Sequence, residues 1–448
     1  MEFLKDIHAF EKRSHTNILK YFENLVQSQW YSNDKLKELQ ENKLRLIIKH
    51  SYNNIPYYHN LFKRLDLSPN DIKGFDDLNK IPILTKSEIQ ENYKKLINKN
   101  FKKEDFIQNS TSGSTGEPLE FLMDREMISW QKAIQLRAFK WADYYPWDKF
   151  AYFWTFFPEN DNNHGRIFDP VYDKYNLILR LSCFNLTDET LENYYNQIIN
   201  FNPKILLAIP NPLYFFSKFL DKKGYKIENI TSVITNAEML LPFQRELIEE
   251  VFNCPVFDIY GAREVSLMIG ECPEAHNKHY SMETAIMEIV KDGESVENNE
   301  EGELIVTNLT NYAMPFIRYR VGDVAKRKAE LCKCGRGLEV IDSLKGRIDD
   351  YLITRNGRFI PGIFFPAVFA YHKINGIKQY QIIQKELEEI EILIVKTDKF
   401  KDSELIEFKN IIKKSLGDIR ININFVDEIP SKSGKCRYTI SELDLKLF

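Results

Sequence analysis

Residues 109–118 read NSTSGSTGEP, a stretch that places five hydroxyl side chains beside two glycines. The hydroxyls belong to Ser110, Thr111, Ser112, Ser114 and Thr115. Gly113 and Gly116 permit backbone conformations in which successive amides point at one spot, so the stretch can wrap a chain of phosphates. It lacks the Lys-Ser/Thr ending of a P-loop. Taken alone it is equally well a flexible polar linker, so its interpretation depends on the segments that follow.

The composition is that of a globular protein with no general attraction for polyanions. The chain has 448 residues, of which 43% are hydrophobic, enough for two or three domains or for one large α/β unit with a small appendage. Its formal charge is -4 and its lysines are scattered, which argues against nucleic-acid binding. The N-terminus is polar, and no apolar stretch of about 18 residues occurs. We therefore expect a cytoplasmic protein without a membrane span.

Strand and helix patterns alternate from about residue 150 onward. Before that, apolar spacing predicts mostly helix in the first hundred residues, interrupted at Pro56. Short apolar runs then alternate with helical segments, which is typical of an α/β domain. These runs are AYFWTFF, KILLAIP, SVITNA and VFDIYG, which begin at residues 151, 204, 232 and 256. Beyond residue 280 the strands crowd together, which predicts an antiparallel subdomain.

The last hundred residues carry an α+β pattern of their own. Strands IKQYQIIQK and EIEILIVKT precede the helix DSELIEFKNIIKKSL, a set that can form a separate small core. We place the boundary close to Arg347 and Asp349. The predicted fold is therefore α/β, with a large N-terminal domain of mixed sheets, helices and an antiparallel subdomain over residues 1–347 and a small mobile α+β domain over residues 348–448.

Three further segments carry residues suited to nucleotide chemistry. In YGAREVS, the Tyr260 ring could lie against a base and Glu264 could hold Mg²⁺, although an ordinary strand and turn explain the segment too. In RYRVGDVA, Asp323 follows Gly322 in a turn, where it could accept both ribose hydroxyls or simply close a hairpin. In IPSKSGKCRY, the Lys435 ammonium could neutralise charge on a reacting phosphoryl group or be merely solvated.

The order and spacing of these segments resemble the adenylate-forming superfamily of acyl-CoA synthetases. Within it, the chain resembles the phenylacetate-CoA ligase branch, which includes proteins of capsular polysaccharide biosynthesis. Nine ordered stretches carry the resemblance over almost the whole chain. They are IIKHSYNNIPYYHNLF, LNKIPILTKSEIQEN, TSGSTGEP, TNAEML, YGAREVS, MPFIRYRVGD, CKCGRG, GRIDDYLITRNGRFI and IPSKSGKCRY.

The resemblance implies an ATP-dependent ligase with Mg²⁺ and coenzyme A as its other requirements. Such an enzyme converts a carboxylic acid, which could be aromatic, into an acyl-adenylate and then into a thioester of coenzyme A. The alternative is transfer to an amine, a sugar or a carrier-protein thiol. A nucleotide-binding protein without catalysis is disfavoured, because such a module has no need of Lys435. A homodimer would suit the family.

The resemblance also implies a role for each site residue. The phosphate grip would be formed by Ser112, Gly113, Ser114, Thr115 and Gly116. The other assignments are Ala237 and Glu238 beside the adenine, Tyr260 and Gly261 at the base, Glu264 on Mg²⁺, Asp323 and Arg347 on the ribose, Asp349 as the hinge and Lys435 as the catalytic lysine. The chain departs from the family at Arg263, which replaces a threonine and could either bind a phosphate or obstruct it, and at Leu119, where many members have lysine.

Cys272, His279, Cys332 and Cys334 make up a complete ligand set for tetrahedral zinc. The C-x-C spacing is tighter than the usual C-x₂-C, so free buried thiols are the alternative, and His276 is a rival for the fourth position. Similar cysteines and histidines in members of the branch favour the metal. Such a site would have no open position and would be structural.

Overall fold

The computed structural model describes most of the chain. The described residues are 2–110, 119–154, 169–183, 186–274, 276–345, 351–353, 359–361, 365, 376–398, 400–417, 419–429 and 439–443. The helices within these ranges are α1 (Glu2–Ser14), α2 (Ile18–Ser28), α3 (Asn33–Asn54), α4 (Pro56–Arg64), α5 (Lys86–Glu91), α6 (Tyr93–Leu96), α7 (Arg125–Trp141), α8 (Asp169–Lys174), α9 (Asp188–Phe201), α10 (Pro210–Lys223), α11 (Pro242–Phe252) and α12 (Asp402–Leu416). None of them is both long and apolar enough to cross a bilayer.

Side-chain caps and prolines explain several of these boundaries. Ser32, Thr85, Asp124 and Thr187 each accept a hydrogen bond from a backbone amide of the first helical turn. Proline occupies the first position of α4, α10 and α11, where its missing amide costs nothing. The predicted interruption at Pro56 is confirmed, since α3 ends at Asn54 and α4 begins at that proline.

The strands follow the apolar runs read from the sequence. They are β1 (Phe106–Ser110), β2 (Glu120–Asp124), β3 (Phe150–Trp154), β4 (Ile178–Ser182), β5 (Ile205–Ala208), β6 (Ser232–Asn236), β7 (Val256–Ala262), β8 (Leu267–Glu271), β9 (Lys278–Tyr280), β10 (Ala285–Lys291), β11 (Glu294–Ser295), β12 (Glu301–Asn308), β13 (Tyr319–Arg327), β14 (Val340–Lys345), β15 (Tyr351–Ile353), β16 (Phe359–Pro361), β17 (Ile377–Glu386), β18 (Glu389–Lys396), β19 (Arg420–Phe425) and β20 (Thr439–Ser441).

The described residues divide into two compact units, and the first is built on antiparallel strands. It comprises residues up to 110, residues 119–146 and residues from 257 to the end of β14. Its strands lie in the order β11-β10-β12-β13-β14-β9-β8-β7, with antiparallel pairing throughout. Helices α1–α7 and the hairpin β1–β2 belong to the same unit. The predicted antiparallel subdomain is confirmed and begins earlier than expected, at β7.

The second unit contains a parallel sheet and the C-terminal segments. Strands β6, β5, β3 and β4 lie in that order and pair in parallel. Strands β3, β5 and β6 are buried almost residue by residue, as expected for a parallel sheet covered on both faces, whereas β4 at the edge is partly exposed. Helices α9, α10 and α11 contribute Ile198, Leu213 and Ile248 to the core that includes these strands.

The C-terminal segments have a core of their own. Strands β19, β18, β17 and β20 form a mixed sheet, and Phe408 and Ile412 of α12 join the buried isoleucines of β17 and β18. The predicted α/β class, with its antiparallel and α+β parts, is confirmed. The domain boundary at residues 347 and 348 lies outside the described residues and stays a prediction.

Candidate nucleotide site and metal centre

Tyr260 and Asp323, two of the predicted nucleotide contacts, meet in the structure. Tyr260 lies near the end of β7, and Asp323 lies on β13, 63 residues later. The Tyr260 hydroxyl donates a hydrogen bond of 2.6 Å to Asp323 Oδ2. Both residues are half-buried. A carboxylate held by a phenol in this way has a fixed orientation, as a site that recognises ribose hydroxyls requires.

The turn predicted at Gly322 and Asp323 is wrong, and so is the hairpin alternative, because both residues lie inside β13. Gly322 has a φ of 88°, and the pairing of β12 with β13 shifts register between Glu303 and Ile305. This is a β-bulge, which bends a strand and redirects its side chains. The glycine is needed because its φ is positive. The bulge sets the direction of the next residue, Asp323.

Glu264 lies on a short 3₁₀ turn, Arg263–Val265, between β7 and β8. Its exposed fraction is 9%. The Asn308 amide donates to the Val265 carbonyl over 2.7 Å, and the Thr284 hydroxyl donates to the Ser266 carbonyl over 3.2 Å. Because buried side chains hold the carbonyls of this turn, Glu264 is carried on a rigid support, which suits a metal-binding carboxylate.

Arg263 contacts the strand that leads into the hydroxyl-rich stretch. Its Nη1 lies 3.4 Å from Asn109 Oδ1, and its carbonyl accepts a 2.9 Å hydrogen bond from Gln131. Asn109 is on β1, and the next residue, Ser110, pairs with Glu120 on β2. Arg263 therefore contacts β1 two residues before the start of the hydroxyl-rich residues 111–118.

Several predicted site residues lie outside the described residues. These are Ser112, Gly113, Ser114, Thr115, Gly116, Arg347, Asp349 and Lys435. Their roles stay predictions. Gly261 is described and lies exposed on β7, opposite Met268 of β8.

In the second unit, Ala237 and Glu238 follow the carboxyl end of β6. Ala237 has a φ of 79°, a conformation that costs a residue with a side chain roughly 1–2 kcal/mol. Ligands of parallel sheets bind beyond the carboxyl ends of strands, and backbone strain is concentrated at such functional segments. The strained position at Ala237 therefore agrees with the predicted contact to adenine.

Two side chains that the sequence reasoning missed hold Glu238. Asn211 Nδ2 donates to Glu238 Oε2 over 2.8 Å, and Gln244 Nε2 supports Asn211 by donating to its side-chain Oδ1. Asn211 and Gln244 lie in the first turns of α10 and α11. The signal in the sequence is a polar residue just after the helix-starting prolines Pro210 and Pro242. The aromatic residues near them, including Phe153 and Phe216, are buried in the core, as expected of packing residues.

The four predicted metal ligands converge in the first unit. The ligand atoms of Cys272, His279, Cys332 and Cys334 all lie within 4.8 Å of one another. The distance between the Cys272 and Cys332 sulfurs is 3.7 Å, and Cys334 Sγ lies 3.5 Å from His279 Nε2. Bond lengths of about 2.3 Å to sulfur and 2.0–2.1 Å to nitrogen place tetrahedral zinc ligands about 3.8 Å and 3.6 Å apart. The donor set and its spacing therefore fit zinc.

Hydrogen bonds orient the ligands toward one another. His279 Nδ1 lies 3.0 Å from the Leu338 carbonyl, and burial lowers the pKa of His279 to about 4. The ring is therefore neutral at pH 7, donates through Nδ1 and directs its Nε2 lone pair at the cysteines. Burial raises the pKa of Cys332, but hydrogen bonds, first among them that from Asn277, outweigh burial and lower it below the ordinary value.

His276, the rival for the fourth position, faces elsewhere. Its Nδ1 lies 3.6 Å from Glu271 Oε2, and its ring packs near Phe257. The loop with Cys332 and Cys334 is fastened instead through Arg336, which donates to Gln29 and to Glu274 over 3.1 and 2.9 Å. Trp141 donates to the same Gln29 oxygen. The cluster is thus enclosed by protein side chains.

Comparison with known proteins finds relatives along most of the chain. The family model described as the CapK C-terminal domain matches residues 352–442. Protein CapK of Staphylococcus aureus is 25% identical over 422 residues, covering 91% of this chain and 90% of its own length. The phenylacetate-coenzyme A ligase of Thermus thermophilus is 24% identical over 379 residues, covering 82% and 83%. The phenylacetate-coenzyme A ligase of Escherichia coli is 26% identical over 360 residues, covering 78% and 79%.

A solved structure has the same fold. The crystal structure of 2-hydroxyisobutyryl-CoA ligase in the postadenylation state covers 92% of this chain and 90% of its own, with a TM-score of 0.59 and 15% sequence identity. At that identity the likeness concerns the arrangement of the elements alone. It agrees with the α/β architecture described above.

Proposed function

We propose that this chain, a relative of the adenylate-forming ligases of the phenylacetate-CoA ligase and CapK branch, activates a carboxylic acid with ATP and transfers the acyl group to the thiol of coenzyme A. The predicted relationship to that branch is confirmed by relatives that align over three quarters of the chain or more. Those named phenylacetate-coenzyme A ligase support the predicted class, an AMP-forming acid–thiol ligase.

One observation of the structure carries the proposal. Strands β7 and β13 bring Tyr260 and Asp323 into contact although 63 residues separate them, and Glu264 lies on the turn that directly follows β7. The Tyr260–Asp323 hydrogen bond and the contact of Arg263 with Asn109 join three of the motifs that the resemblance selected. A fold without nucleotide chemistry has no need to gather these motifs.

The residues divide the chemistry into binding and charge stabilisation. An acid oxygen attacks the α-phosphorus of ATP, a phosphorus–oxygen bond breaks, and pyrophosphate leaves with acyl-adenylate formed. Asp323 would accept the ribose hydroxyls, and Tyr260 would fix that carboxylate while its ring lies against the base. Glu264 would hold Mg²⁺, which when bound neutralises phosphate charge. Lys435 would stabilise the negative charge of the first transfer, and residues 112–116 would bind the phosphates.

In the second half-reaction the thiol of coenzyme A attacks the acyl carbon, and AMP leaves. The resemblance implies that the small domain turns at Asp349 between the two steps. The relative named CapK keeps the alternative acceptors open: an amine, a sugar or a carrier-protein thiol. Formation of acyl-adenylate without turnover on coenzyme A would favour those acceptors. A cytoplasmic location and a homodimer stay predictions of the sequence.

The cysteine and histidine cluster belongs to the proposal as a structural zinc site. Cys272, His279, Cys332 and Cys334 supply the four ligands, which leaves no position for substrate. The metal would join the end of β8 to the loop before β14. A role in the reaction is therefore not part of the proposal.

Exchange of labelled pyrophosphate into ATP across a panel of aryl, fatty and amino acids tests the function. We expect exchange that requires both Mg²⁺ and one class of acid. Lys435→Ala should abolish most of it, whereas Lys432→Ala, a neighbouring lysine of the same segment, should retain it. Silence of the wild-type chain across the panel would contradict the proposal, and equal activity of the two variants would contradict the assignment of Lys435.

A further inference from the structure

Residues 308–317, from the last residue of β12 to just before β13, form a segment that is buried although it is mostly irregular. Its Asn308, Thr310 and Asn311 are at most 2% exposed. Buried backbone without regular structure needs side chains to satisfy its amides and carbonyls. We refer to it as the 308–317 segment. Its hydrogen bonds lead to two other elements, the Glu264 turn and strand β2.

Asn308 links the segment to the Glu264 turn. Its Oδ1 accepts from the amides of Thr310 and Asn311 over 2.8 and 2.7 Å, so its acceptor serves the segment itself. Its Nδ2 donates 2.7 Å to the Val265 carbonyl, the residue after Glu264. The side-chain amide of Asn308 therefore contacts the segment through its oxygen and the Glu264 turn through its nitrogen.

Asn311 also uses its oxygen within the segment, but it divides its donor. Its Oδ1 accepts from the amides of Ala313 and Met314. Its Nδ2 donates over 3.0 Å to the Met314 carbonyl of the segment and over 2.8 Å to the Leu122 carbonyl on β2, the strand that follows residues 111–118. Asp124, at the end of that strand, returns the contact by accepting from the amides of Tyr312 and Ala313 over 2.6 and 3.1 Å.

Helices α3 and α4 fix the segment from its other side. The Tyr58 hydroxyl donates to the Pro315 carbonyl and accepts from the Ile317 amide, both over 3.0 Å. His50 Nε2 lies 2.9 Å from the Tyr312 carbonyl. Both residues belong to the N-terminal motif IIKHSYNNIPYYHNLF, which has no part in the proposed chemistry. Its hydrogen bonds hold the segment in place.

We propose that Asn308 and Asn311 are positioning residues. The side-chain amide of Asn308 fixes the Glu264 turn, and that of Asn311 fixes strand β2 of the β1–β2 hairpin. The kinetic consequences of this inference rest on the proposed function, but its geometry does not. Two donors of one buried segment contact two elements that the sequence separates by more than a hundred residues.

Replacement by aspartate tests each link, because an ionised carboxylate keeps the acceptor and loses the donor. Asn311→Asp also removes the 3.0 Å bond to the Met314 carbonyl within the segment. Asn98→Asp is the matched control, since Asn98 is 2% exposed, accepts from the Asn100 amide and donates to the Tyr312 carbonyl of the same segment rather than to the Glu264 turn or to β2. Thr284→Val, which removes only the hydroxyl that donates to the carbonyls of Ser266 and Ser281, is a milder second variant for the turn.

Two readouts separate positioning from loss of stability. Amide hydrogen exchange of the holoprotein should quicken at residues 263–268 in Asn308→Asp and at residues 119–124 in Asn311→Asp, and at neither in Asn98→Asp. In pyrophosphate exchange, Asn308→Asp should raise the Mg²⁺ concentration for half-maximal rate about tenfold, whereas Asn311→Asp should raise the KM for ATP about tenfold. Thr284→Val should follow Asn308→Asp with a smaller, about threefold, change.

Equal changes in all three asparagine variants, or exchange that quickens throughout the unit, would overturn the inference, because both describe a general loss of stability. If the wild-type chain proves inactive, the proposed function fails, and the exchange pattern alone decides whether the two asparagines position these elements.

Discussion

Strand β8 has a different polar cluster at each end. The Glu264 turn, Arg263–Val265, precedes β8, and Cys272 directly follows Glu271, the last residue of the strand. At the cysteine end, the side chains point at one another, and Arg336, Gln29 and Trp141 enclose them. Toward the other end, Gly261 lies opposite Met268 of β8 and is exposed, and Tyr260, opposite Ile269, is half-buried like its partner Asp323.

Enclosure of the side chains distinguishes a structural polar cluster from a site that can bind a substrate. A set that completes its own tetrahedron leaves no open position, so it can only hold the fold together. A set of acceptors mounted on a rigid turn and left partly open can still take a ligand. The following experiments, taken from the largest expected effect to the smallest, test whether the two ends of β8 differ in this way.

Glu264→Gln should have the largest effect, a loss of roughly 100- to 1,000-fold in pyrophosphate release, because it removes a charge placed to hold Mg²⁺ beside the phosphates. Glu271→Gln, at the opposite end of β8, is the matched control. Glu271 is similarly buried but accepts from the Asp258 amide, which glutamine can replace. Comparable losses in the two variants would erase the proposed difference.

Cys272→Ser should act on stability and spare the chemistry. We expect bound zinc to fall from one equivalent toward none and the free energy of unfolding to fall by about 2–4 kcal/mol, with kcat unchanged per folded molecule. Cys183→Ser removes a buried thiol outside the cluster and should leave the zinc content intact. Protein that holds no zinc when purified without chelator, and whose stability chelation does not change, would contradict the metal assignment.

Much of this arrangement could be predicted from the sequence because the signals are local. The helix over residues 402–416, the strands at 205–208 and 232–236 and the start of α4 at Pro56 follow from apolar spacing, caps and proline. The cysteines could be grouped because their chemistry is rare. The choice of His279 over His276 could not be made, since it depends on the pairing of β9 with β8 and β14.

At the proposed nucleotide site, the sequence predicts candidate residues but not the contacts between them. Asp323 was expected in a turn, because Gly-Asp is a local turn signal, yet the register shift that makes a bulge there depends on a partner strand. The Tyr260–Asp323 bond and the links from Asn308 and Asn311 join residues that no spacing rule relates. Such contacts are set by tertiary packing.

Tyr260→Phe should have a moderate effect on the open end of β8. The ring remains available to a base, but Asp323 loses the hydrogen bond that orients it. A hydrogen bond to a charged group is worth about 1.5 kcal/mol or more, so the KM for ATP should rise about tenfold with little change in zinc content. An unchanged KM would show that the Asp323 orientation does not matter to ATP.

Ser266→Gly should have the smallest effect and act in the stabilising direction. Ser266 is 1% exposed, has a φ of 48°, and its hydroxyl has no hydrogen-bond partner among the described residues. Glycine relieves the strain and removes the buried hydroxyl, so the free energy of unfolding should rise by up to about 1 kcal/mol. The corresponding loop at the cysteine end already has Gly335 at a φ of 80°. A loss of stability in urea denaturation would contradict the strain assigned to Ser266.

A crystal structure with a hydrolysis-resistant acyl-adenylate analogue tests the central claim most directly. We predict ribose hydroxyls within hydrogen-bonding distance of the Asp323 carboxylate, the adenine against the Tyr260 ring, and an anomalous zinc signal confined to Cys272, His279, Cys332 and Cys334. An analogue bound away from both Tyr260 and Asp323 would contradict the claim that this end of β8 is where the nucleotide binds.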